Sequence, residues 1–205
     1  MSLKLVMFYG SARSSRQGIK AARFIKRQCE ARGHQVSLIE PLSHPLPLLD
    51  KMYKEYAEGE APSVLQQMAE AISAADAFVV VSGEYNHTVP PGLSNLMDHF
   101  LEQYYFKPSA IVSYSAGPFG GVRAAMTLRA MLGELGTPSI PSTLPISQVH
   151  KAFSDEGDAL DTAYEKRADK FLTELEWYAH ALKRAREHGC KRAACESSEA
   201  GVGKS

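Results

Sequence analysis

The apolar residues of this chain follow two alternating patterns. Short apolar runs without alternation are typical of strands that are buried on both faces of a parallel sheet. Runs of this kind predict strands at 3–9, 77–82 and 109–115, and two further short segments are expected to be strands, at 35–40 and 139–146. Apolar residues that recur every three or four positions mark one face of a helix. This spacing predicts helices at 18–32, 61–75, 93–101, 122–135 and 161–182.

The regular alternation of strand and helix predicts the fold class. A β-α-β opening requires a right-handed crossover between parallel strands, and its repetition gives an α/β, three-layer sandwich around a parallel sheet. The β-branched run at 77–82 is expected to be a central strand, whereas Pro141 and Pro145 restrict 139–146 to an edge. We expect a single domain over residues 1–188 and a flexible tail over 189–205.

Charge and composition exclude several classes of function. Lys and Arg total 23 and Asp and Glu total 23, so the formal net charge is zero, which disfavours nucleic-acid binding and polybasic attachment to a membrane. No apolar run suits a signal peptide or a membrane span, and we expect a soluble, cytoplasmic protein. The three cysteines, Cys29, Cys190 and Cys195, form neither a disulfide framework nor a zinc-ligand pattern, so no metal is expected.

The loop between the first strand and its helix is rich in hydrogen-bond donors. It reads GSARSSRQG over residues 10–18, and it combines hydroxyls and two guanidinium groups with the N–H groups of a helix N-terminus. Such donors bind an anion, which the helix dipole also favours. The spacing fits neither a P-loop nor a dinucleotide fingerprint, so an anion the size of one phosphate group is the better interpretation. The alternative is a polar loop with an ordinary N-cap serine.

Two further loops follow buried strands. Residues 83–92 (GEYNHTVPPG) place Tyr85 and Asn86 where an aromatic ring and an amide could contact a planar heterocycle. His87 in the same loop is more typical of a surface histidine than of a catalytic one. Residues 115–121 (SAGPFGG) contain three glycines that would let the backbone approach a ligand closely, although a simple turn is the alternative. A hydrolase elbow is excluded because residue 113 is serine.

Together the segments GSARSSRQ, GEYNHTVPPGLSNLMDHF and SYSAGPFGGVRAAMTLRAMLGELG resemble the NADPH-dependent FMN reductase family of flavodoxin-like quinone, azo-dye and chromate reductases. The resemblance implies a five-stranded sheet of order 2-1-3-4-5 and one FMN per subunit. Gly83 stands where the family has proline, and Ser94 where it has lysine. The FMN-binding residues that the resemblance implies are Ser11, Arg13, Ser15, Arg16 and Gln17 at the phosphate, Gly83, Glu84, Tyr85, Asn86 and His87 along the ring, and Ser115, Gly117 and Gly120 on its other side.

The function that the resemblance implies is an FMN-dependent NAD(P)H oxidoreductase. Hydride would pass from NADPH or NADH through bound FMN to a small acceptor in a ping-pong reaction, with no side chain acting as acid or base. The acceptor would be a quinone, azo compound, free flavin or metal oxyanion, and the protein a homodimer or homotetramer. One alternative is a flavodoxin-like electron carrier, although such carriers tend to be acidic. The other is a flavin-regulated interaction protein that uses the stripe of the 161–182 helix.

Overall fold

The computed structural model describes residues 1–188, and its five parallel strands form one sheet of order β2-β1-β3-β4-β5. This is the predicted α/β fold and strand order, which are therefore confirmed. The expected tail at 189–205, with Cys190 and Cys195, lies outside the described residues. The strands are β1 at Lys4–Tyr9, β2 at Gln35–Ile39, β3 at Ala77–Ser82, β4 at Ser109–Tyr114 and β5 at Ser139–Ile146.

Helices cover both faces of this sheet. They are α1 at Gly18–Ala31, α2 at Ser63–Ala74, α3 at Pro91–Asp98, α4 at Val122–Glu134, α5 at Val149–Ala152 and α6 at Ala163–Glu187. One core joins the sheet to α1, α5 and α6, and the other joins it to α2, α3 and α4. The central strand β3 is buried at every position, because it is covered by both helical layers and paired on both edges.

Most predicted elements are found within a few residues of their expected bounds. The short helix α5 and the 3₁₀ turns at Tyr53–Glu55 and Glu102–Tyr104 were not predicted, since segments of one turn carry too few apolar positions to show a period. Val122 was expected on the apolar stripe of α4, but it is 41% exposed. As the first residue of α4, it stands where the helix begins, at the carboxyl edge of the sheet.

The middle of helix α6, from Ala168 to Ala179, packs against the sheet. Its apolar stripe, which includes Phe171 and Leu175, is buried against the sheet, so the stripe is not free to serve as a partner surface. Near its C-terminal end, Lys183 contacts the carboxylate of Asp76 at 3.1 Å, and the same carboxylate accepts a hydrogen bond from the Lys4 N–H at 2.9 Å. None of the helices in residues 1–188 has the length and apolar character needed to cross a membrane.

Candidate active site

The three loops singled out in the sequence meet at the carboxyl edge of the sheet. Because the strands are parallel, β1, β3 and β4 all end at this edge, which is where ligands bind in open α/β sheets. The loops enclose a cavity of about 190 Å³, called here the site cavity. The predicted residues that line it are Ser11, Arg13, Ser15, Arg16, Gln17, Gly83, Glu84, Tyr85 and Ser115.

The N-terminus of α1 supplies the positive end of the site cavity. Within residues 1–188, no side chain caps this helix, and its first turn contains no acidic residue. Gln17 and Gly18, at the start of the helix, line the cavity. The Lys20 N–H donates to the Gln17 carbonyl at 3.2 Å, and the helix dipole and the other N–H groups of the first turn are available to an anion.

The two arginines of the first loop lie in different electrostatic environments. Arg16 forms a two-pronged ion pair with Glu40, with Nη2 at 3.1 Å from Oε1, and its Nη1 also donates to the Ser11 carbonyl at 3.3 Å. Arg13 is exposed, and its guanidinium makes no ion pair or hydrogen bond with any of residues 1–188. No local pattern indicates this difference, because Glu40 is distant from Arg16 along the chain. Arg13 therefore carries the available charge of the loop.

The second loop is a tight hairpin, and its two tip residues are outside the lining of the site cavity. Tyr85 and Thr88 exchange two backbone hydrogen bonds, and Asn86 and His87 between them have φ angles of +50° and +64°. This geometry is a type I′ turn, which asparagine tolerates better than most residues. The side chains of Asn86 and His87 are exposed, and neither lines the cavity among the described residues.

Glu84, just before this hairpin, caps the helix that follows the third loop. Its carboxylate accepts hydrogen bonds from the backbone N–H groups of Arg123 at 3.1 Å and Ala124 at 3.2 Å. An acidic group at a helix N-terminus is favourable because it satisfies free N–H donors and complements the dipole. The side chain of Glu84 therefore has a structural partner, and it joins the second loop to the start of α4.

The third loop brings one predicted side chain to the site cavity and uses its glycines to turn the chain. Ser115 lines the cavity, whereas Gly117 and Gly120 do not. Gly120 has a φ angle of +64°, and a Cβ atom there would lie 3.1 Å from the backbone nitrogen of Ile146. Glycine is required at this position because the loop packs closely on β5 in a left-handed conformation. The carbonyl of Gly117 accepts a hydrogen bond from the Gln148 N–H at 3.0 Å.

Sequence reasoning missed two tyrosines at the ends of strands. Tyr114, the last residue of β4, lines the site cavity, and Tyr9, the last residue of β1, lies beneath it beside Tyr114 and Ser11. Burial raises the pKa of Tyr9, and it also raises that of Tyr114, so both hydroxyls are protonated at neutral pH. Their position as polar aromatics directly before two site loops was the available signal. The other cavity residues that were not predicted are Gly18, Ala116 and Val149.

The sequence of this chain is similar to those of known flavin reductases. A family model described as NADPH-dependent FMN reductase matches residues 3–151. The chain is 32% identical over 139 residues to an NAD(P)H-dependent FMN reductase of Pseudomonas aeruginosa, a match that covers 64% of this chain and 75% of the relative. It is 31% identical over 134 residues to a quinone reductase of Escherichia coli, covering 63% of this chain and 69% of the relative.

Solved structures agree on the fold. The flavoenzyme NAD(P)H:(acceptor) oxidoreductase FerB of Paracoccus denitrificans matches with a TM-score of 0.67 and 19% identity, covering 89% of this chain and 98% of that one. RosB, solved with a bound formylated riboflavin phosphate intermediate, matches with a TM-score of 0.70 and 13% identity, covering 99% of this chain and 89% of that one. At these identities the matches establish the shared architecture only.

Proposed function

Because the chain belongs to the NADPH-dependent FMN reductase family, we propose that residues 1–188 form a single domain that binds FMN in the site cavity. The protein is an FMN-dependent NAD(P)H oxidoreductase that acts on a small-molecule acceptor. The observation that carries the assignment of the cofactor to this cavity is the convergence of three family motifs on one edge of the sheet.

The residues present fit the phosphate end of FMN. The cavity joins an uncapped helix N-terminus to the free guanidinium of Arg13 and to the hydroxyls of Ser11 and Ser15. Beneath it lies the hydroxyl of Tyr9, which is buried and makes no hydrogen bond within residues 1–188. Free donors around a small cavity are what a phosphate group requires.

Each predicted residue has a proposed part in holding the cofactor. Ser11, Arg13, Ser15 and the backbone of Gln17 bind the phosphate, while Arg16 fixes the loop through its ion pair with Glu40. The backbone from Gly83 to Tyr85 and the side chain of Ser115 would hold the flavin ring, and the exposed Asn86 and His87 would reach only a part of the cofactor that extends beyond the cavity. Gly117 and Gly120 contribute by setting the path of the third loop.

The cavity volume bears on how substrates reach the cofactor. Cavities that bury most of a drug-sized ligand measure roughly 300–1,000 Å³, and the site cavity measures about 190 Å³. It would enclose the phosphate end and leave the ring at the surface, where hydride donor and acceptor could bind in turn. When bound, FMN supplies a carrier that takes hydride from NAD(P)H and delivers electrons to the acceptor.

No side chain is proposed as an acid or base. Among the described residues, no histidine lines the site cavity, and Glu84 is committed to capping α4. The chain's own contribution is therefore to bind and orient the cofactor and to hold both faces of the site in place. We propose NADPH or NADH as the hydride donor and a quinone, azo compound, free flavin or metal oxyanion as the acceptor.

We also propose that the protein is a homodimer or homotetramer in the cytoplasm. Phe119, Val122 and Met126 are 60%, 41% and 63% exposed beside the site, and apolar side chains grouped on a surface are typical of a protein interface. Within residues 1–188 the buried Cys29 makes no disulfide, which is compatible with a reducing compartment. Light scattering on the purified protein measures the oligomeric state directly.

The decisive experiment is spectroscopic. The purified protein, or its apoprotein after FMN is added, should show the visible absorbance of bound flavin at one FMN per chain. Anaerobic stopped-flow mixing with NADPH and with NADH should bleach that absorbance, and a quinone or azo dye should restore it. Absence of FMN uptake would contradict the proposed function, and uptake without rapid reduction would favour an electron carrier.

A further inference from the structure

The two tyrosines at the ends of β1 and β4 form a pair that the site motifs do not include. We propose that the Tyr114 hydroxyl donates a hydrogen bond to the phosphate of FMN, and that the Tyr9 hydroxyl positions it from beneath. This inference rests on the proposed function and adds a ligand of the phosphate that comes from β4. Tyr114 is thus a binding residue, and Tyr9 is a positioning residue that acts through it.

Tyr9 provides the first observation. Its side chain is fully buried, and its Oη is the buried side-chain polar atom that makes no hydrogen bond in the described part of the chain. Buried hydroxyls nearly always have a partner because an unpaired one loses its hydration without replacement. The hydroxyls of Tyr114 and Ser11 are its polar neighbours, and both of those residues line the site cavity. The unpaired group therefore lies directly behind the proposed phosphate position.

Two glycines leave room for the Tyr114 ring to pack against the start of α1. A Cβ atom at Gly18 would lie 2.1 Å from Cζ and 2.4 Å from Oη of Tyr114, so the ring rests where any other residue would place its side chain. A Cβ atom at Gly83 would lie 3.1 Å from the same hydroxyl. The first residue of α1 and the first residue of the second loop thus leave the space that the ring occupies, and its hydroxyl lies at the helix N-terminus.

The sheet register explains why the two rings lie together. Tyr9 pairs with Val81, and Val81 pairs with Val112, so Tyr114 stands two residues beyond the level of Tyr9. Side chains two residues apart on a strand point to the same face, which is the face covered by α1. The ring centroids of Tyr9 and Tyr114 are 6.3 Å apart. Two neighbouring hydroxyls are therefore directed from the sheet toward the base of the proposed phosphate site.

The chemistry suits a doubly charged phosphate. Each of its oxygens accepts hydrogen bonds, and the surrounding donors are neutral hydroxyls, one guanidinium group and backbone N–H groups. Because burial keeps the Tyr9 and Tyr114 hydroxyls protonated, they add donors without adding negative charge. If Tyr114 donates to the phosphate, its oxygen can accept from Tyr9, which gives the buried Tyr9 hydroxyl the partner it lacks.

The test compares two ligands that differ by the phosphate alone. The apoprotein is titrated with FMN and with riboflavin, and quenching of flavin fluorescence gives each Kd. Tyr114→Phe is expected to raise the Kd for FMN about tenfold, the effect of one hydrogen bond to a charged group, and to leave the riboflavin Kd unchanged. Tyr9→Phe should raise the FMN Kd about threefold, with the same selectivity, and should not lower the melting temperature of the apoprotein.

Tyr104→Phe is the matched control. Tyr104 is equally buried, but its hydroxyl donates to the Met97 carbonyl at 3.1 Å on the opposite face of the sheet. Its replacement should lower stability without changing the ratio of FMN to riboflavin affinity. A second measurement, the ³¹P NMR shift of bound FMN, should move in Tyr114→Phe and not in the control.

Two results would overturn the inference. One is an unchanged FMN Kd with an unchanged ³¹P shift in Tyr114→Phe. The other is an equal loss of FMN and riboflavin affinity, which would mean that Tyr114 only shapes the cavity. Failure of the proposed function gives a different result, because the wild-type apoprotein would then bind neither flavin.

Discussion

Replacing Arg13 with alanine should weaken FMN binding and leave the folded apoprotein intact. The expectation comes from the difference between the two arginines of the first loop. Arg13 is exposed and its guanidinium has no partner among residues 1–188, whereas Arg16 is held by Glu40. Removing Arg13 therefore deprives no protein group of a contact, and its effect should appear only when a phosphate is present.

The size of the effect follows from the exposure of Arg13. A hydrogen bond to a charged group contributes about 1.5–3 kcal/mol, and exposure to solvent and salt reduces this contribution. We therefore expect a loss of about 1–2 kcal/mol, which raises the Kd for FMN about 5- to 30-fold. The loss should shrink as salt is added, because the Debye length falls from about 10 Å at 0.1 M to about 3 Å at 1 M.

The assay is a fluorescence titration of the apoprotein at low and high salt, with riboflavin as the ligand without phosphate. Arg16→Ala is the matched control, because the same residue type is removed from the same loop. The side chains of Arg16 and Glu40 are 16% and 13% exposed, so breaking their pair leaves a poorly hydrated carboxylate. Arg16→Ala should lower the melting temperature of the apoprotein, an effect that Arg13→Ala should lack.

Three outcomes would contradict this reasoning. An FMN Kd within twofold of the wild-type value in Arg13→Ala would mean that the phosphate does not lie at Arg13. An equal loss of riboflavin affinity would mean that the loop itself had changed. A larger loss of FMN selectivity in Arg16→Ala than in Arg13→Ala would reverse the two roles and would show that Glu40 releases its partner when ligand binds.

Three further predictions concern the framework around the site. Asp76→Ala should destabilise the protein by about 2–3 kcal/mol and lower its melting temperature by about 4–12 °C, because the Lys4 N–H loses its acceptor. Glu84→Ala should lower the melting temperature of the apoprotein by about 2–4 °C through loss of the α4 cap. Burial opposes ionisation of Glu176, but hydrogen bonds and charge attraction from Arg32 and His34 together outweigh it and lower the pKa of Glu176 from its ordinary value of 4.5. The ionised Glu176 therefore stabilises the fold above pH 4.5, and this stabilisation is lost as the pH falls further. In Glu176→Gln, the free energy of unfolding, measured by circular dichroism, should depend less steeply on pH below 4.5.

Each of these predictions has a result that would contradict it. Asp76→Asn retains an acceptor for the Lys4 N–H. An equal loss of stability in the Asn and Ala variants would mean that the charge of Asp76, and not this hydrogen bond, stabilises the protein. Glu84→Ala with an unchanged melting temperature would mean that water replaces the cap. If the acid unfolding curves of Glu176→Gln and wild type remain parallel below pH 4.5, Glu176 does not contribute to the loss of stability in acid.

The candidate site was predictable where each loop carries its own signal. Nine of the predicted residues line the site cavity, from Ser11 in the first loop to Ser115 in the third, because loop composition and position after a strand are local properties. Asn86 and His87 share the motif of their neighbours but occupy the tip of a tight turn, which carries their side chains outward. A linear motif does not distinguish a residue that faces the ligand from one that faces solvent.

The sequence by itself determined the elements of this fold and their class. Apolar periodicity distinguishes strand from helix locally. Strict alternation of strands and helices allows few arrangements other than a parallel sheet between helical layers. Gly33, expected to end the first helix, has the φ angle of +84° that such a turn requires. The family motifs then indicated which edge of the sheet carries chemistry.

Only the tertiary structure decided which site groups are free and which have partners. Glu40 neutralises Arg16, and the Tyr9 hydroxyl is left unpaired beside Tyr114. These contacts join strands and loops that are distant along the chain, and they arise from the register of the sheet and the packing of the helices on it. Contacts of this kind depend on packing in three dimensions, which no local pattern encodes, and they set the charge and hydrogen-bonding capacity of the site.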